Sequence, residues 1–590
     1  PRVSLSSPTQ TETADATASS HAETPTVSPE PPVPHAATNT PPIASSEPVV
    51  ISVDAAVRFQ TIDGFGATHL SLMYEGAGDV LGQELRSKAI DAIYRQVGIN
   101  LGNMEGSLLE SPGSYDQRSN DNSDPNEIDW ARFQTYSVDA MHSNLIMLAE
   151  PLGFDGYYVN QRVNNRWASP WLIDLRGSDY DRYLEEAVEQ VVAGNIYWRD
   201  EYDVVPRYIM PFNEPLSGNQ ELQSDNVQEV VDLVKAIGSR LEQEGFSDVK
   251  FVLPNEETVH RTLEVATAIL SDPAARQYAG VIGYHSYPYG STYASIPNIL
   301  NTSGAGAPDA NAVEIRDRLR LLSQQYGLPV WMTEVSHGDV DPFSFEDFRG
   351  RAIHIHDEFL YANASAYFGM TNMWDTFSQE AHFGNQDLSS AEGTIVLIDN
   401  SHRTVSITGM GYAIGHYARW IEPGAVRVEA LSGDPLLQIT AFISPESDQL
   451  ILVLINNNTV PKEINVDLNS AELAGSVSGE QSTPDQYWSP VSEFETSSPV
   501  SFAATLPAES VTTFVDTTLY ASKKFETLPI RSKERINRHV ILHGRQVNYG
   551  TERNSLRVFL LLDALSALTI DLEDEENPNP KRRARKAKRK

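Results

Sequence analysis

The chain from Val49 to about residue 420 alternates between short apolar runs and longer amphipathic stretches. A short apolar run is typical of a buried strand, whereas apolar residues spaced three and four apart indicate a helix. The stretch 227–244 has the helical spacing. Its apolar stripe consists of Val230, Val231, Val234, Ile237 and Leu241.

Strand-like and helix-like segments follow one another in eight repeats. The predicted strands are Thr61–Phe65, Ile99–Met104, Gly156–Val163, Pro206–Phe212, Val249–Pro254, Val281–Tyr287, Pro329–Val335 and Ala366–Trp374. The predicted helices between them include Tyr180–Ala193, Val227–Glu244 and Phe345–Asn363. Eight uninterrupted repeats indicate an α/β fold of the (β/α)8 TIM barrel type rather than an open doubly wound sheet. No Gly-x-Gly-x-x-Gly motif opens the first helix, which argues against a dinucleotide domain.

After Pro423 the apolar residues change to a period of two, as in AVRVEAL, LLQITAF, QLILVLINN, KEINVDL and SVTTFV. Such short alternating strands predict a small side β-sandwich, which the N-terminal strand Val49–Val53 completes. The expected organisation is a linker over 1–48, a sandwich strand over 49–58, the barrel over 59–422, the sandwich over 423–518 and a tail over 519–590.

The two ends of the chain differ from its middle. Residues 1–48 are rich in Ser, Thr, Pro, Ala and Glu, which predicts a disordered tether or a plain linker. The tail combines a predicted helix, Asn554–Leu568, with a basic end that we interpret as solvated.

Composition removes several classes of function. The net charge of −36 would repel nucleic acid, and it suits a protein that acts on neutral or cationic material. The chain has no cysteine, so disulfides, thiolate nucleophiles and cysteine-based zinc sites are excluded. No apolar run reaches the length of a membrane-spanning helix.

Chemistry in a (β/α)8 barrel sits at the carboxyl ends of the strands. The fourth predicted strand ends in Asn213-Glu214-Pro215, the sixth in His285-Ser286-Tyr287 and the seventh in Thr333-Glu334. Two strand-end glutamates supply what glycoside hydrolysis requires, because one carboxyl donates a proton while the other, ionised, attacks the sugar. We also expect Pro215 to restrict Glu214 to extended backbone.

With these motifs the sequence resembles glycoside hydrolase family 30 over roughly Val49 to Val515. The resemblance rests on FQTIDGFGA (59–67), ASPW (168–171), PFNEP (211–215), YHSYPYG (284–290), WMTEVS (331–336) and GHYARWIEPGAVRV (415–428). It implies a barrel with a side sandwich, a retaining mechanism, and β-glycans such as β-1,6-glucan, β-1,6-galactan or xylan, or related glycosides, as substrates.

The resemblance also implies a role for individual residues. Glu214 would be the acid/base and Glu334 the nucleophile. Asn213 would bind the sugar 2-hydroxyl, and Tyr287 would donate its hydroxyl to the nucleophile. The remaining expected substrate contacts are Trp374, as an apolar floor, Trp171, as a wall, and His285, which is equally typical of a satisfied core histidine.

One feature departs from the family pattern. Related barrels carry an arginine near the end of the second strand, where this chain has Leu101-Gly102-Asn103-Met104-Glu105. Either the alignment slips at this strand, or the pocket is organised differently.

Two other functions remain open at this stage. A metal-dependent amidohydrolase is suggested by His354-Ile355-His356-Asp357, although those residues fall inside a predicted helix. The second alternative is a non-catalytic glycan-binding protein on the same scaffold. For the hydrolase we expect no metal or organic cofactor, a polysaccharide or oligosaccharide partner, a monomer, and a secreted or cell-surface location.

Overall fold

The computed structural model describes residues 47–516, apart from 70–76, 106–108, 111–121, 144–148, 150–155, 161–169, 217–221, 223, 288–309, 337–339, 392, 446–448, 474 and 497. The predicted linker and tail therefore lie outside the described residues. Among the helices that the structure describes, none combines the length and the apolar character needed to cross a bilayer.

The strands fall into two large sheets and one short pair. In chain order they are β1 (Val49–Thr61), β2 (Gly64–His69), β3 (Leu101–Glu105), β4 (Leu109–Glu110), β5 (Phe133–Gln134), β6 (Gly156–Asn160), β7 (Tyr208–Met210), β8 (Lys250–Glu256), β9 (Ala279–His285), β10 (Val330–Glu334), β11 (Ala366–Asp375), β12 (Thr394–Asp399), β13 (Thr404–Ile407), β14 (Val426–Ser432), β15 (Leu437–Ile443), β16 (Leu450–Asn456), β17 (Lys462–Asn469), β18 (Ser476–Thr483), β19 (Gln486–Glu495), β20 (Ser501–Leu506) and β21 (Ser510–Asp516).

Helices lie between the strands of the first large sheet. They are α1 (Ala77–Ile90), α2 (Tyr136–Met141), α3 (Pro170–Ser178), α4 (Tyr180–Tyr202), α5 (Val227–Gln243), α6 (Val259–Ser271), α7 (Pro273–Arg276), α8 (Ala310–Tyr326), α9 (Phe345–Asp357), α10 (Thr376–Phe383) and α11 (Gly409–Ala418). Wider turns, Asp91–Val97 and Glu358–Ala362, extend α1 and α9.

The first large sheet closes into a barrel of eight parallel strands, as the alternating sequence pattern predicted. The strands run in the order β2, β3, β6, β7, β8, β9, β10 and β11. The last of them pairs in parallel with β10 through Ala366 and Trp331, and with β2 through Tyr367 and Phe65. Among these eight strands, none is therefore left as an edge strand of the barrel. All eight carboxyl ends consequently meet at one mouth of the barrel.

Side chains fill the barrel, so it is a packed core rather than a pore. A cluster built from strand residues lies inside it: Met210, Val252, Val281, Trp331, Ala366 and Phe368. Outside the strands, helix α5 buries the apolar stripe read from the sequence. Asn226 begins that helix by accepting a hydrogen bond from the backbone N–H of Gln228.

The eighth barrel strand is long and continues past the barrel wall. Its second half pairs in parallel with β12, through Thr371 with Thr394 and Trp374 with Leu397. The hairpin of β12 and β13 was not predicted from the sequence. It lies next to the seventh strand, because Gly393 approaches the carbonyl oxygen of Val335.

The second large sheet has nine strands, in the order β19, β18, β21, β16, β15, β14, β1, β17 and β20. It curls over its own apolar face, because Phe494 and Phe502 of its two edge strands bring their ring centroids to 6.0 Å. Strand β1 lies in the middle, antiparallel to β14 and parallel to β17. This sheet is the expected β-sandwich, with the N-terminal strand inside it.

Candidate active site

Three side chains from different strands meet at the carboxyl end of the barrel. Glu214 follows β7, His285 ends β9 and Glu334 ends β10. The sequence placed Glu214, Glu334 and His285 at strand ends, and the closed barrel brings them together.

The two glutamates face each other across His285. An oxygen of Glu214, a ring nitrogen of His285 and an oxygen of Glu334 all lie within 4.8 Å of one another. The Nδ1 atom of His285 is 2.8 Å from Oε1 of Glu214 and 3.6 Å from Oε1 of Glu334. In the part of the chain that the structure describes, these three residues are also the group that could hold a cation.

Tyr287 orients the second glutamate. Its hydroxyl donates to Oε1 of Glu334 at 3.0 Å and lies 3.2 Å from the hydroxyl of Ser336. Burial, and then the charge of Glu334, holds the pKa of Tyr287 well above its ordinary value. The phenol therefore keeps its proton and acts as a donor, while Glu334 accepts.

The electrostatics of His285 reflect two opposing effects. Burial lowers the pKa of the imidazole, whereas the charge of Glu334 and the hydrogen bond with Glu214 raise it, and the net pKa is raised. The structure thus places an imidazole of raised pKa between two carboxyl groups, which is an arrangement suited to moving a proton at Glu214.

The backbone prediction for Glu214 is wrong. Its φ is 53°, in the left-handed region, rather than extended as the following Pro215 suggested. A long-range bond accounts for this: the backbone N–H of Glu214 donates to the carbonyl oxygen of Asn255 at 2.9 Å. Strained backbone of this kind clusters at functional sites, where the surrounding structure holds it in place.

The fifth strand contributes a support that sequence reasoning missed. Asn255, itself at a φ of 62°, donates from Nδ2 to Oδ1 of Asn213 at 3.4 Å. Thr333, the residue before Glu334, donates its hydroxyl to Oδ1 of Asn255 at 2.5 Å. Asn255 consequently links the two glutamate-bearing segments. The signal was available, because the fifth strand ends in Asn255-Glu256 just as the fourth ends in Asn213-Glu214.

The two predicted tryptophans lie in different places. Trp374 stands near the end of the eighth strand, donates from Nε1 to Gln379 Oε1 at 2.6 Å, and packs against Leu388, Ala391 and Leu397. Trp171 is half-buried on α3 and packs against the outer cluster that includes Leu172 and Tyr183. Their roles as a floor and a wall for sugar stay predictions.

The second strand is Leu101–Glu105, and it contains no arginine. Asn103 occupies its middle and donates from Nδ2 to the hydroxyl of Thr68 at 3.0 Å. Among the described residues, His285 is the basic side chain that is paired with both glutamates.

The histidines that suggested an amidohydrolase are separated. Both lie inside α9, as expected, and their ring nitrogens face different partners. His354 is fully buried against Ser286, Glu358 and Tyr367. His356 binds Oδ1 of Asp357 at 2.9 Å. They do not form a shared metal site at a strand end.

A cavity of about 280 Å³ lies elsewhere, at the amino-terminal end of the barrel, lined in part by Asp63, Pro329 and Ser365. These residues precede or begin strands. An active site at that end would be unusual for this fold, because its active sites lie at the opposite mouth of the barrel.

The sandwich region matches a known family. Residues 424–514 match the glycosyl hydrolase family 30 beta sandwich domain. The Caenorhabditis elegans protein that carries the provisional name glucosylceramidase 1 is 23% identical over 465 residues, which cover 71% of this chain and 79% of that protein. Glucuronoxylanase XynC of Bacillus subtilis is 23% identical over 282 residues, which cover 46% of this chain and 54% of that protein.

Solved structures share the fold. The catalytic domain of xylanase C from Talaromyces cellulolyticus superposes with a TM-score of 0.55 at 18% identity, covering 80% of this chain and 100% of that domain. The family 30 sandwich domain at residues 424–514 and the two named relatives support glycoside hydrolase family 30, a family of O-glycosyl hydrolases, and the closed barrel with its side sandwich agrees with that fold.

Proposed function

We propose that this chain hydrolyses β-linked glycans with retention of configuration, with Glu334 as nucleophile and Glu214 as acid/base. The observation that carries the proposal is the approach of the two carboxyl groups, whose nearest oxygens lie within 4.8 Å. Retaining enzymes hold their carboxyl groups roughly 5–5.5 Å apart, whereas inverting enzymes leave about 6.5–9.5 Å for a water molecule.

The contacts of each glutamate support the division of roles. Glu334 accepts from the Tyr287 hydroxyl, which orients the carboxyl group that we propose attacks the anomeric carbon. Glu214 shares a proton with His285 and passes it to the departing glycosidic oxygen. In the second step Glu214 takes a proton from water, the resulting hydroxide attacks the anomeric carbon, and Glu334 leaves as a carboxylate.

The substrate class is proposed on charge and on the names of relatives. The net charge of −36 favours a neutral or cationic main chain over a polyanion. The relatives named glucosylceramidase and glucuronoxylanase support a β-glycoside as the substrate. Within that class we propose β-1,6-glucan, β-1,6-galactan, xylan or a related β-glycoside. Asn213, Trp374 and Trp171 are proposed as sugar contacts.

We also propose action outside the cell, as a monomer, with residues 1–48 as a tether. The Ser-, Thr- and Pro-rich composition of that segment supports the tether. Size-exclusion chromatography with light scattering measures the mass in solution, and a dimer mass would contradict the monomer.

The deciding experiment is product analysis over a panel of β-1,6-glucan, β-1,6-galactan, glucuronoxylan and aryl β-glucoside, with anomeric configuration followed by proton NMR. We expect a product that first appears in the β configuration. Glu334→Gln and Glu214→Gln should each lower turnover by several orders of magnitude. Glu264→Gln, which alters an exposed carboxyl on α6, serves as the matched control.

Each alternative predicts a different outcome of that experiment. Inversion of configuration would remove Glu334 as nucleophile. Binding to a glycan without cleavage, and unchanged by Glu334→Gln, would indicate a glycan-binding protein. Activity that is lost with chelator and restored by a divalent metal would indicate a metallohydrolase.

A further inference from the structure

His285 is flanked by two residues that face away from the active site. Strand residues alternate between the two faces of a sheet, so Tyr284 and Ser286 point outward while His285 points into the mouth. Both outward side chains are buried among the helices that surround the barrel. Whatever holds these two neighbours also holds the imidazole between them.

One carboxylate binds both neighbours. Glu358, which is 0% exposed just after α9, accepts a hydrogen bond from the hydroxyl of Tyr284. The other carboxylate oxygen, Oε1, accepts from the hydroxyl of Ser286 at 2.6 Å. The same carboxyl group therefore contacts the residue before His285 and the residue after it.

Arg316 of α8 completes the arrangement. Its Nε donates to Oε2 of Glu358 at 2.9 Å and its Nη2 to Oε1 at 2.6 Å, which is a two-pronged pair. The same Nη2 is 2.7 Å from the Ser286 hydroxyl, and it donates there too. Because Arg316 is only 2% exposed, this ion pair is buried.

The charge states follow from the contacts. Despite burial, the charge of Arg316 and the hydrogen bonds of Glu358 hold the pKa of that carboxyl far below its ordinary value, so the pair is ionised. Burial lowers the pKa of His354, which is therefore neutral. Its Nε2 lies 3.0 Å from Oε1 of Glu358 and must carry the proton, since a carboxylate only accepts. Its Nδ1 then accepts from Tyr367 at 2.9 Å.

Stability alone is a weak reason for such a pair. A buried ion pair loses so much hydration that apolar replacements of similar shape are often equally stable. What this pair provides is a rigid and fully hydrogen-bonded bracket behind the sixth strand. A displacement of about 1 Å at a reacting group can cost about 100-fold in rate, so a bracket at this place has a large effect on catalysis.

We propose that Glu358, held by Arg316, clamps Tyr284 and Ser286 from behind the barrel wall and so fixes His285 between Glu214 and Glu334. Tyr284, Ser286, Arg316 and Glu358 are thus positioning residues for hydrolysis. The inference rests on the proposed function for its kinetic test. The clamp itself is a matter of geometry that can be measured without any substrate.

The kinetic test removes the hydroxyl contacts and leaves the ion pair in place. We expect the double variant Tyr284→Phe with Ser286→Ala to lower kcat on a hydrolysed aryl β-glucoside about 10- to 100-fold, with KM within about threefold. The pH profile of kcat should also shift, because a displaced His285 changes its distance to the titratable groups that face it. These groups are Glu214, Glu334, Glu256 and Tyr287.

The control makes the same two types of substitution, one tyrosine to phenylalanine and one serine to alanine, in other parts of the barrel. In Tyr278→Phe with Ser323→Ala, the lost contacts are with Glu242 at 3.4 Å and with the Leu328 carbonyl at 2.6 Å. We expect wild-type kcat and pH profile in this control. If both double variants lose activity and melting temperature equally, the contacts are merely structural and the clamp is overturned.

A second measurement separates the clamp from the proposed function. The imidazole of His285 is followed by NMR on protein that contains carbon-13-labelled histidine. Its signal is assigned as the one that is lost in His285→Gln. The clamp variant should shift the titration of that signal, and the control should not. An unchanged titration overturns the clamp. A shifted titration in a chain that cleaves none of the β-glycans supports the clamp and contradicts the proposed function.

Discussion

The Tyr287 hydroxyl donates a hydrogen bond of 3.0 Å to Oε1 of Glu334, and both residues stand at the carboxyl ends of neighbouring barrel strands. The backbone N–H between their strands reinforces this placement, since Ser286 donates to the carbonyl oxygen of Glu334 at 3.1 Å. The side-chain bond and the backbone bond together fix where the proposed nucleophile points.

Replacing Tyr287 with Phe should therefore lower catalysis more than stability. The carboxylate loses a donor that orients it and that helps it to leave in the second step. Removing one such donor typically costs about 100-fold in kcat. The measurement is steady-state hydrolysis of an aryl β-glucoside. Tyr278→Phe, whose hydroxyl contacts Glu242 among the outer helices, is the control. Equal kinetics in the two variants would contradict a role for Tyr287.

Gly393 supports the same segment from the other side. Its φ is 68°, and a Cβ there would lie 2.7 Å from the carbonyl oxygen of Val335, the residue after Glu334. In Gly393→Ala the backbone near Glu334 must move. We expect a loss of both stability and kcat, measured by thermal melting and by turnover.

Gly384 provides a matched control for that change. Its φ is 73°, yet a Cβ added to it meets nothing within 4 Å. Gly384→Ala should cost only about 1 kcal/mol of backbone strain and leave kcat unchanged. If Gly393→Ala retains full turnover, contact with Val335 does not position Glu334.

The barrel and the glutamate pair were within reach of the sequence, because each depends on local pattern. Apolar runs marked the strands, and strand ends marked the mouth, so Glu214, His285 and Glu334 could be placed together before any contact was known. The rules for connecting parallel strands then predict that these strand ends meet at one mouth of the barrel.

Features that depend on distant contacts were not predictable. The left-handed backbone of Glu214 is set by Asn255 on another strand, which outweighs the local preference imposed by Pro215. The Glu358 bracket joins residues more than 70 positions apart in the chain, through Ser286. The strands β18, β19 and β20 were also missed, because their alternation is broken by Gly, Ser and Thr positions.

The N-terminal strand should contribute strongly to folding stability. Ile51 on β1 is fully buried in the sandwich, between β14 and β17, whereas its neighbour Val50 is 51% exposed. Ile51→Ala should lower the free energy of unfolding by about 2–5 kcal/mol, since it leaves a cavity. Val50→Ala should change it by no more than about 0.5 kcal/mol. Urea unfolding measures both, and similar values for the two would show that β1 is not a core strand.

A pH-dependent weakness is expected where helix α11 meets the sandwich. His416 bonds Thr513 Oγ1 at 3.0 Å and Ser482 Oγ at 2.7 Å. Burial, with a smaller effect of Arg419, lowers the pKa of His416 from 6.5 to about 3. A histidine with a lowered folded pKa binds its proton more readily when unfolded, so its contribution to stability is present above pH 6.5 and is lost as the pH falls toward 3.

His416→Gln tests this expectation, because glutamine can keep a donor and an acceptor but does not titrate. From pH 6.5 downward, the wild-type free energy of unfolding should fall relative to the variant by about 1.4 kcal/mol per pH unit. Urea unfolding at pH 7, 5 and 4 provides the comparison, because pH 7 lies above this range of pH and the other two values lie within it. The difference between the two proteins, rather than either slope, isolates His416 from the carboxyl groups that titrate in both. If the free energy of unfolding changes equally with pH in the wild type and in the variant, the imidazole is charged, or exposed, in the folded chain.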